Sequence, residues 1–194
     1  MGTARGQGVV LVNSPNTYIT ESVIRDGGGT GRGSSQQTLE LSEAFKDSMA
    51  SICAPLSVVT AEFDGKPHGT SVSAFASLSL DPPMVLVSLN NNSELLAVIA
   101  KSGRFALNVL ASDQSTLGAN FGRKGIDRFQ SVDWESSAGV PRLGGVSAWV
   151  ACELDSVVEG GDHKIVLGKV IRAEHTETAP LVYYKRQFGT YVSV

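Results

Sequence analysis

The sequence predicts a mainly β protein, an antiparallel barrel carrying a few short helices. Three observations lead there. Short runs rich in β-branched, aliphatic and aromatic residues recur along most of the chain, among them "SVVTAEF" at 57–63, "MVLVSL" at 84–89 and "RFALNVL" at 104–110. Glycine, proline and aspartate punctuate them, as "DGKP" does at 64–67 and "DPP" at 81–83. The helical patterns in between are too short and too few for alternating βαβ units, which leaves antiparallel pairing.

Taken in order, residues 1–38 differ from the rest. "RDGGGTGRGSSQQ" at 25–37 is glycine-rich and polar, and only "GVVLVN" at 8–13 reads as a short strand. This stretch is expected to be a disordered arm. Gly28 and Gly33 have phosphate-loop spacing, but Ser34 and Ser35 stand where Lys-Ser/Thr is required. A helix follows over 39–52, where Leu41, Phe45, Met49 and Ile52 fall at i, i+4, i+8 and i+11, with Ser42 able to cap. Strand 57–63 turns through "DGKP" into a hairpin partner over 68–80, which Asp81-Pro82-Pro83 must end. "MVLVSL" is the next buried strand. "NNNSELLAVIAKSG" at 90–103 carries an Asn/Ser cap, apolar Leu95, Leu96, Val98 and Ile99, and a Gly103 stop, hence a short helix. Another strand spans 104–110, and a helix opens at Ser112 or Asp113. Residues 122–145 read as loop-rich. The clearest hairpin is 147–177, two long β-rich runs joined through Glu159-Gly160-Gly161-Asp162, and 179–194 closes the fold.

Composition bounds the function. A length of 194 residues suits one domain beyond the arm, able to bury roughly 70% of its unfolded surface. A net charge of −3 supplies no basic footprint for nucleic acid or an anionic membrane. No apolar run approaches the roughly 18 residues of a membrane span, and no signal-peptide pattern opens the chain, so a cytoplasmic location is expected. Cys53 and Cys152 form no metal-ligand spacing and read as free buried thiols. His68, His163 and His175 form no ligand cluster, so no metal site is expected. Neither a G-x-S-x-G elbow nor a G-x-G-x-x-G after a strand occurs, which sets aside serine hydrolysis and a doubly wound dinucleotide fold.

Four stretches carry candidate chemistry. In "GTSVSAFASLSLDPP" at 69–83, a two-residue period puts Ser71, Ser73, Ser77 and Ser79 on one face with Phe75. Such a face is either solvated or small enough for something flat to lie against the backbone. Asn91, Asn92 and Ser93 open the helix after residue 90, where unpaired amides suit a phosphate, unless Ser93 only caps its own helix. "NFGRKGIDRF" at 120–129 offers Arg123, Lys124 and Arg128 to a phosphate or an adenine, or is a solvated charge run. "GGDH" at 160–163 places His163 at a hairpin mouth, as a structural residue or as a hydrogen-bond donor to a carboxamide or phosphate.

In this order, "GTSVSAFASLSLDPP", "NNNSE", "NFGRKGIDRF", "GGDHKIVLGKV" and "PLVYYKRQFG" resemble the successive signatures of the short-chain flavin reductase family, the reductase components of two-component flavin-dependent monooxygenases. The resemblance covers about residues 41–190 and excludes the N-terminal arm. It implies a split β-barrel of Greek-key type, as a homodimer with flavin at the subunit interface. It implies NAD(P)H-dependent reduction of diffusible FAD or FMN, the reduced flavin passing to a separate monooxygenase. Carried over by position, Thr70, Ser71, Val72, Ser73 and Ala74 would lie along the flavin ring. Asn91 and Ser93 would take its phosphate with Arg123 and Lys124. Gly161, Asp162 and His163 would contact the nicotinamide nucleotide (NADH or NADPH), with His163 orienting it and serving as the catalytic residue. Tyr184, Arg186 and Phe188 would close the pocket. The competing reading is a non-catalytic split-barrel protein that holds flavin or haem, and a third is a flavoenzyme with permanently bound flavin.

Overall fold

Antiparallel pairing organises the chain, and every strand contact is between partners of opposite direction. The structure is a computed structural model that describes residues 33–192. Two units divide the chain, Met1–Glu40 and Leu41–Val194. The expected strand at 8–13, Gly28 and most of the arm expected over 1–38 lie outside the described residues.

The elements run α1 (Gly33–Ala50), β1 (Ala54–Pro55), β2 (Ser57–Phe63), β3 (Lys66–Val72), β4 (Phe75–Leu80), β5 (Pro83–Asn90), α2 (Glu94–Ser102), β6 (Arg104–Val109), α3 (Ser115–Gly122), β7 (Trp134–Ser137), β8 (Val140–Leu143), β9 (Ala148–Gly160), β10 (His163–His175), β11 (Leu181–Tyr184) and β12 (Gln187–Thr190). Seven strands form the main sheet in the order β3-β2-β6-β9-β10-β5-β4. Its two edges, β3 and β4, are consecutive in the chain, so the sheet curls until they approach each other, which is the split-barrel architecture the family resemblance implies. A smaller sheet, β1-β11-β12, and a hairpin, β7-β8, stand beside it.

Three expectations about element boundaries are corrected, and one loop-rich stretch gains a hairpin. The strand expected over 68–80 is two strands that break at Ser73 and Ala74, because β3 pairs with β2 while β4 pairs with β5. The loop-rich stretch 122–145 also holds a hairpin, β7 and β8 pairing through Ala138 and Gly139, whose φ angles of 53° and 76° make the turn that matches strand twist. Helix α1 begins at Gly33 rather than near residue 39, extended through Gln36 and Gln37, which are good helix formers. Helix α3 takes Gln114, not Ser112 or Asp113, at its N-cap.

The Leu41–Phe45–Met49 stripe of α1 forms as the spacing predicts, yet it lies open, at 71, 63 and 48% exposure, with Ile52 beyond the helix at 54%. Two apolar clusters hold the rest. One lies between the concave sheet and α2 and includes Val59, Val87, Ile99, Phe105 and Cys152. The other, around Trp149, Phe121, Leu143 and Leu181, joins α3 and β8 to the opposite side of the sheet. The cysteines part company: Cys53 is exposed, against the expectation, and Cys152 is fully buried. Burial pushes the Cys152 thiol up to about 12, so the neutral form is the folded form. That contribution is complete below the ordinary thiol pKa and fades as pH climbs toward about 12.

One polar knot crosses the second cluster. Asn108 is buried and donates through Nδ2 to Val58 O (3.1 Å) and Thr60 Oγ1 (3.0 Å), while its Oδ1 accepts from the Leu143 amide at 2.8 Å. Thr60 in turn donates to Pro141 O at 2.6 Å. These bonds dock the β7-β8 hairpin on the main sheet. Asn108→Leu strands the Leu143 amide in an apolar setting and is expected to cost about 2–3 kcal/mol, read as a lower urea midpoint at unchanged m value.

Candidate active site

A cleft of about 720 Å³ opens beside the seam where β3 gives way to β4. Four stretches of chain line it: residues 67–74 of β3 and the break, residues 88–95 from the end of β5 into α2, the loop 124–129 after α3, and His163 at the β9-β10 turn. The size lies within the range of small-molecule sites, and the wall mixes small side chains with a few polar ones.

The serine face divides. Ser71 Oγ donates to Gly118 O at 2.6 Å and Thr70 Oγ1 lies 3.5 Å from Phe121 O, so these hydroxyls moor α3 to the back of the wall. Ser73 and Ala74 are exposed and line the cleft, and Val72 is buried between wall and core. Ser77 and Ser79 belong to β4, where a register shift between them ends the expected single face, and Ser79 Oγ accepts from the Asp81 amide at 3.2 Å. The wall is thin because Gly69 is small: a Cβ there would sit 2.9 Å from Phe121 Cε1.

At the second stretch, Ser93 is the N-cap of α2 but its hydroxyl makes no capping bond, so it does not merely cap its own helix. Ser93, Glu94 and Leu95, at the N-terminus of α2, line the same cleft, and a helix N-terminus suits an anion. Asn91 does different work. Its amide N–H donates to Asp162 O at 3.0 Å and its Nδ2 to Gly161 O at 3.0 Å, which ties the β5–α2 turn to the β9-β10 turn. Asn92, which lines the cleft, takes the neighbouring place.

That turn consists of Gly161, at φ 74°, and Asp162, tighter than the four-residue connection expected, since β9 runs through Gly160. His163 Nδ1 lies 2.7 Å from Asp162 Oδ1, and this hydrogen bond, with the imidazole's charge, holds the Asp162 carboxyl below its usual range. The contact orients the ring, which lines the cleft, while Gly161 and Asp162 support it from behind. In the loop after α3, Lys124 lines the cleft and Arg123 does not; Arg128, left without a settled role by the sequence, does. Its neighbourhood in "NFGRKGIDRF" was the available signal. His68 and Ser88 also line the cleft and had no signal, being single polar residues inside strands.

Tyr184 and Phe188 lie elsewhere, around a separate hollow of about 290 Å³ that Cys53 also lines. Arg186 bonds Asp47 of α1 at 2.7 Å, which raises the guanidinium pKa further. Within one chain these three do not line the cleft.

Comparison with known proteins gives this arrangement its context. The reductase subunit HsaB of a flavin-dependent monooxygenase from Rhodococcus jostii is 39% identical over 146 residues, covering 74% of this chain and 75% of that protein. The FMN reductase (NADH) SmoA from Agrobacterium fabrum is 37% identical over 153 residues, covering 78% and 87%. The crystal structure of nitrilotriacetate monooxygenase component B from Mycobacterium thermoresistibile superposes with a TM-score of 0.76 at 31% identity, covering 80% of this chain and 89% of that one. Residues 49–191 match the family described as flavin reductase like domain, and with relatives this similar over most of its length the chain belongs to that family.

Proposed function

We propose that this chain transfers a hydride from NADH or NADPH to free FMN or FAD and supplies the reduced flavin to a separate monooxygenase. The observation that carries the reading is the 720 Å³ cleft, in which a small-residue wall, an unused N-cap hydroxyl, Lys124 and an oriented imidazole converge from four stretches of a flavin reductase family chain. NADH is the favoured donor, since the similar SmoA is named as an NADH-dependent FMN reductase.

The residues fit such ligands. Ser73 and Ala74 leave room for a planar ring against the backbone, Ser93 and the first amides of α2 suit its phosphate, and Lys124 adds charge at the lip. Bound together, the two cofactors would supply the hydride chemistry themselves, from the nicotinamide to the flavin. The chain's part is alignment: His163, held by Asp162, orients the nicotinamide, and Asn91 keeps the turn beside the phosphate end. No residue of the cleft need act as a general base.

A homodimer accounts for two further features. Leu41, Phe45 and Met49 leave an apolar stripe open on α1, and the β11-β12 hairpin, bound to α1 through Arg186–Asp47 and through the Lys185 amide on Ala50 O, exposes Tyr184 and Phe188. A second copy would cover both and bring Tyr184, Arg186 and Phe188 to a neighbouring cleft, where they would close it. Among the described residues no helix is long and apolar enough to cross a membrane, and a cytoplasmic site of action is part of the proposal.

The deciding experiment follows NADH absorbance with added FMN or FAD. Turnover with free flavin, by a protein that purifies nearly colourless, is expected; flavin retained through gel filtration without NADH oxidation would make the chain a carrier instead. Ser73→Tyr is expected to abolish most flavin binding by filling the wall, measured by fluorescence quenching, and normal affinity in that variant would remove the ring from this wall. His163→Ala should raise KM for NADH about tenfold while KM for flavin moves less than threefold, the scale of one charge-assisted hydrogen bond. Phe45→Glu with Met49→Glu should convert a dimer to a monomer by light scattering, and an unaltered mass would take α1 out of the interface.

A further inference from the structure

Arg128 lines the cleft, yet its guanidinium faces protein. Nε donates to Arg123 O at 2.6 Å and Nη1 to Gly69 O at 2.6 Å, while the Arg128 carbonyl accepts from Asn120 Nδ2 at 2.8 Å. One residue therefore joins α3, the start of the cleft's lip and the wall strand β3. Gly69 matters because β3 is an edge of the main sheet, where outward carbonyls lack a neighbouring strand. Arg128 supplies a donor to that carbonyl, within the wall itself. Phe129 beside it is wedged edge-on between Phe121 (5.0 Å, 87°) and Trp134 (5.6 Å, 74°), so the base of the lip is fixed by packing and its height by the guanidinium.

We infer that Arg128 is a positioning residue for the flavin ring, acting through two backbone carbonyls rather than as a charge on the ligand. This rests on the cleft being the flavin seat. The planar fork of arginine can hold two carbonyls at once in a fixed geometry, and a lysine ammonium on a flexible stem cannot. The spacing between the β3 wall and the Lys124–Asp127 lip depends on that fork, and with it the fit of a flat ring.

The test compares FMN with riboflavin, which keeps the ring and lacks the phosphate. Arg128→Lys and Arg128→Ala are expected to raise Kd about tenfold for both ligands alike, equivalent to about 1.4 kcal/mol, with kcat at saturating flavin falling less than threefold. Recovery of wild-type affinity by lysine, or a loss confined to FMN, would assign Arg128 to the phosphate as a charge and overturn the proposal, as would unchanged Kd for both. Should the Arg128 variants not fold, Asn120→Ala loosens the same lip through the Arg128 carbonyl and should weaken FMN and riboflavin equally, about threefold; unequal or absent losses again overturn it. Wild-type protein that binds neither flavin would remove the reading beneath the proposal, whereas wild-type binding with intact variant affinity removes the proposal alone.

Discussion

The hydrogen bond from the Ser88 amide to Ala74 O, at 2.9 Å, ties to β5 the short break between β3 and β4, the two edges of a seven-stranded sheet, and the architecture follows from that break. A chain that leaves one edge as β3 and two residues later becomes the opposite edge as β4 has one way to do so: the sheet must curl. Curling encloses Phe105, Val166 and Cys152 under α2, which covers the open end. It also leaves Ser73 and Ala74 outside both strands, with the Ala74 carbonyl held by the Ser88 amide, and that short interruption is part of the wall of the cleft. The site is therefore a consequence of barrel closure, placed where ladder bonds are fewest and backbone is most available.

Everything around the seam is held by contacts between backbone and side chain rather than by ion pairs. Ser71 moors α3 through Gly118, Asn91 moors the β9-β10 turn, Asn108 moors the β7-β8 hairpin, and Arg128 moors the lip. Each bond satisfies a backbone group of a peripheral piece or of the β3 edge: Gly118 O in α3, Gly161 O in the β9-β10 turn, the Leu143 amide in β8 and Gly69 O in β3. The exposed ion pairs, such as Lys46 with Glu43, are screened by solvent and contribute little to the same end.

The cleft needs little charge. Lys124 and the start of α2 favour an anion, whereas Glu94 and Asp127 also line it and temper the field. Such a balance suits a ligand that must leave after each turnover, because a strongly cationic seat would retain a phosphate. The same economy applies to His163, whose ring is set in place by Asp162 without a buried charge on either.

By itself the sequence determined what local chemistry can determine. β-branched runs marked β2, β5, β6, β9 and β10, the Ser93 cap and Gly103 stop bounded α2, and Asp64-Gly65, with φ of 53° and 69°, announced its own hairpin turn. The motif order marked most of the cleft. Tertiary structure alone decided the rest. The alternation of 69–80 runs on through Ser73 and Ala74 without a break, and only the capture of β3 by β2 and of β4 by β5 divides it. Ala138, Lys185 and Arg186 take left-handed backbone, with φ of 53°, 47° and 61°, although none of them favours it, the last beside its pair with Asp47. Arg128 had a visible motif and an invisible role, because what it holds, the carbonyl of Gly69, lies 59 residues away in the chain and meets it only once the sheet has curled.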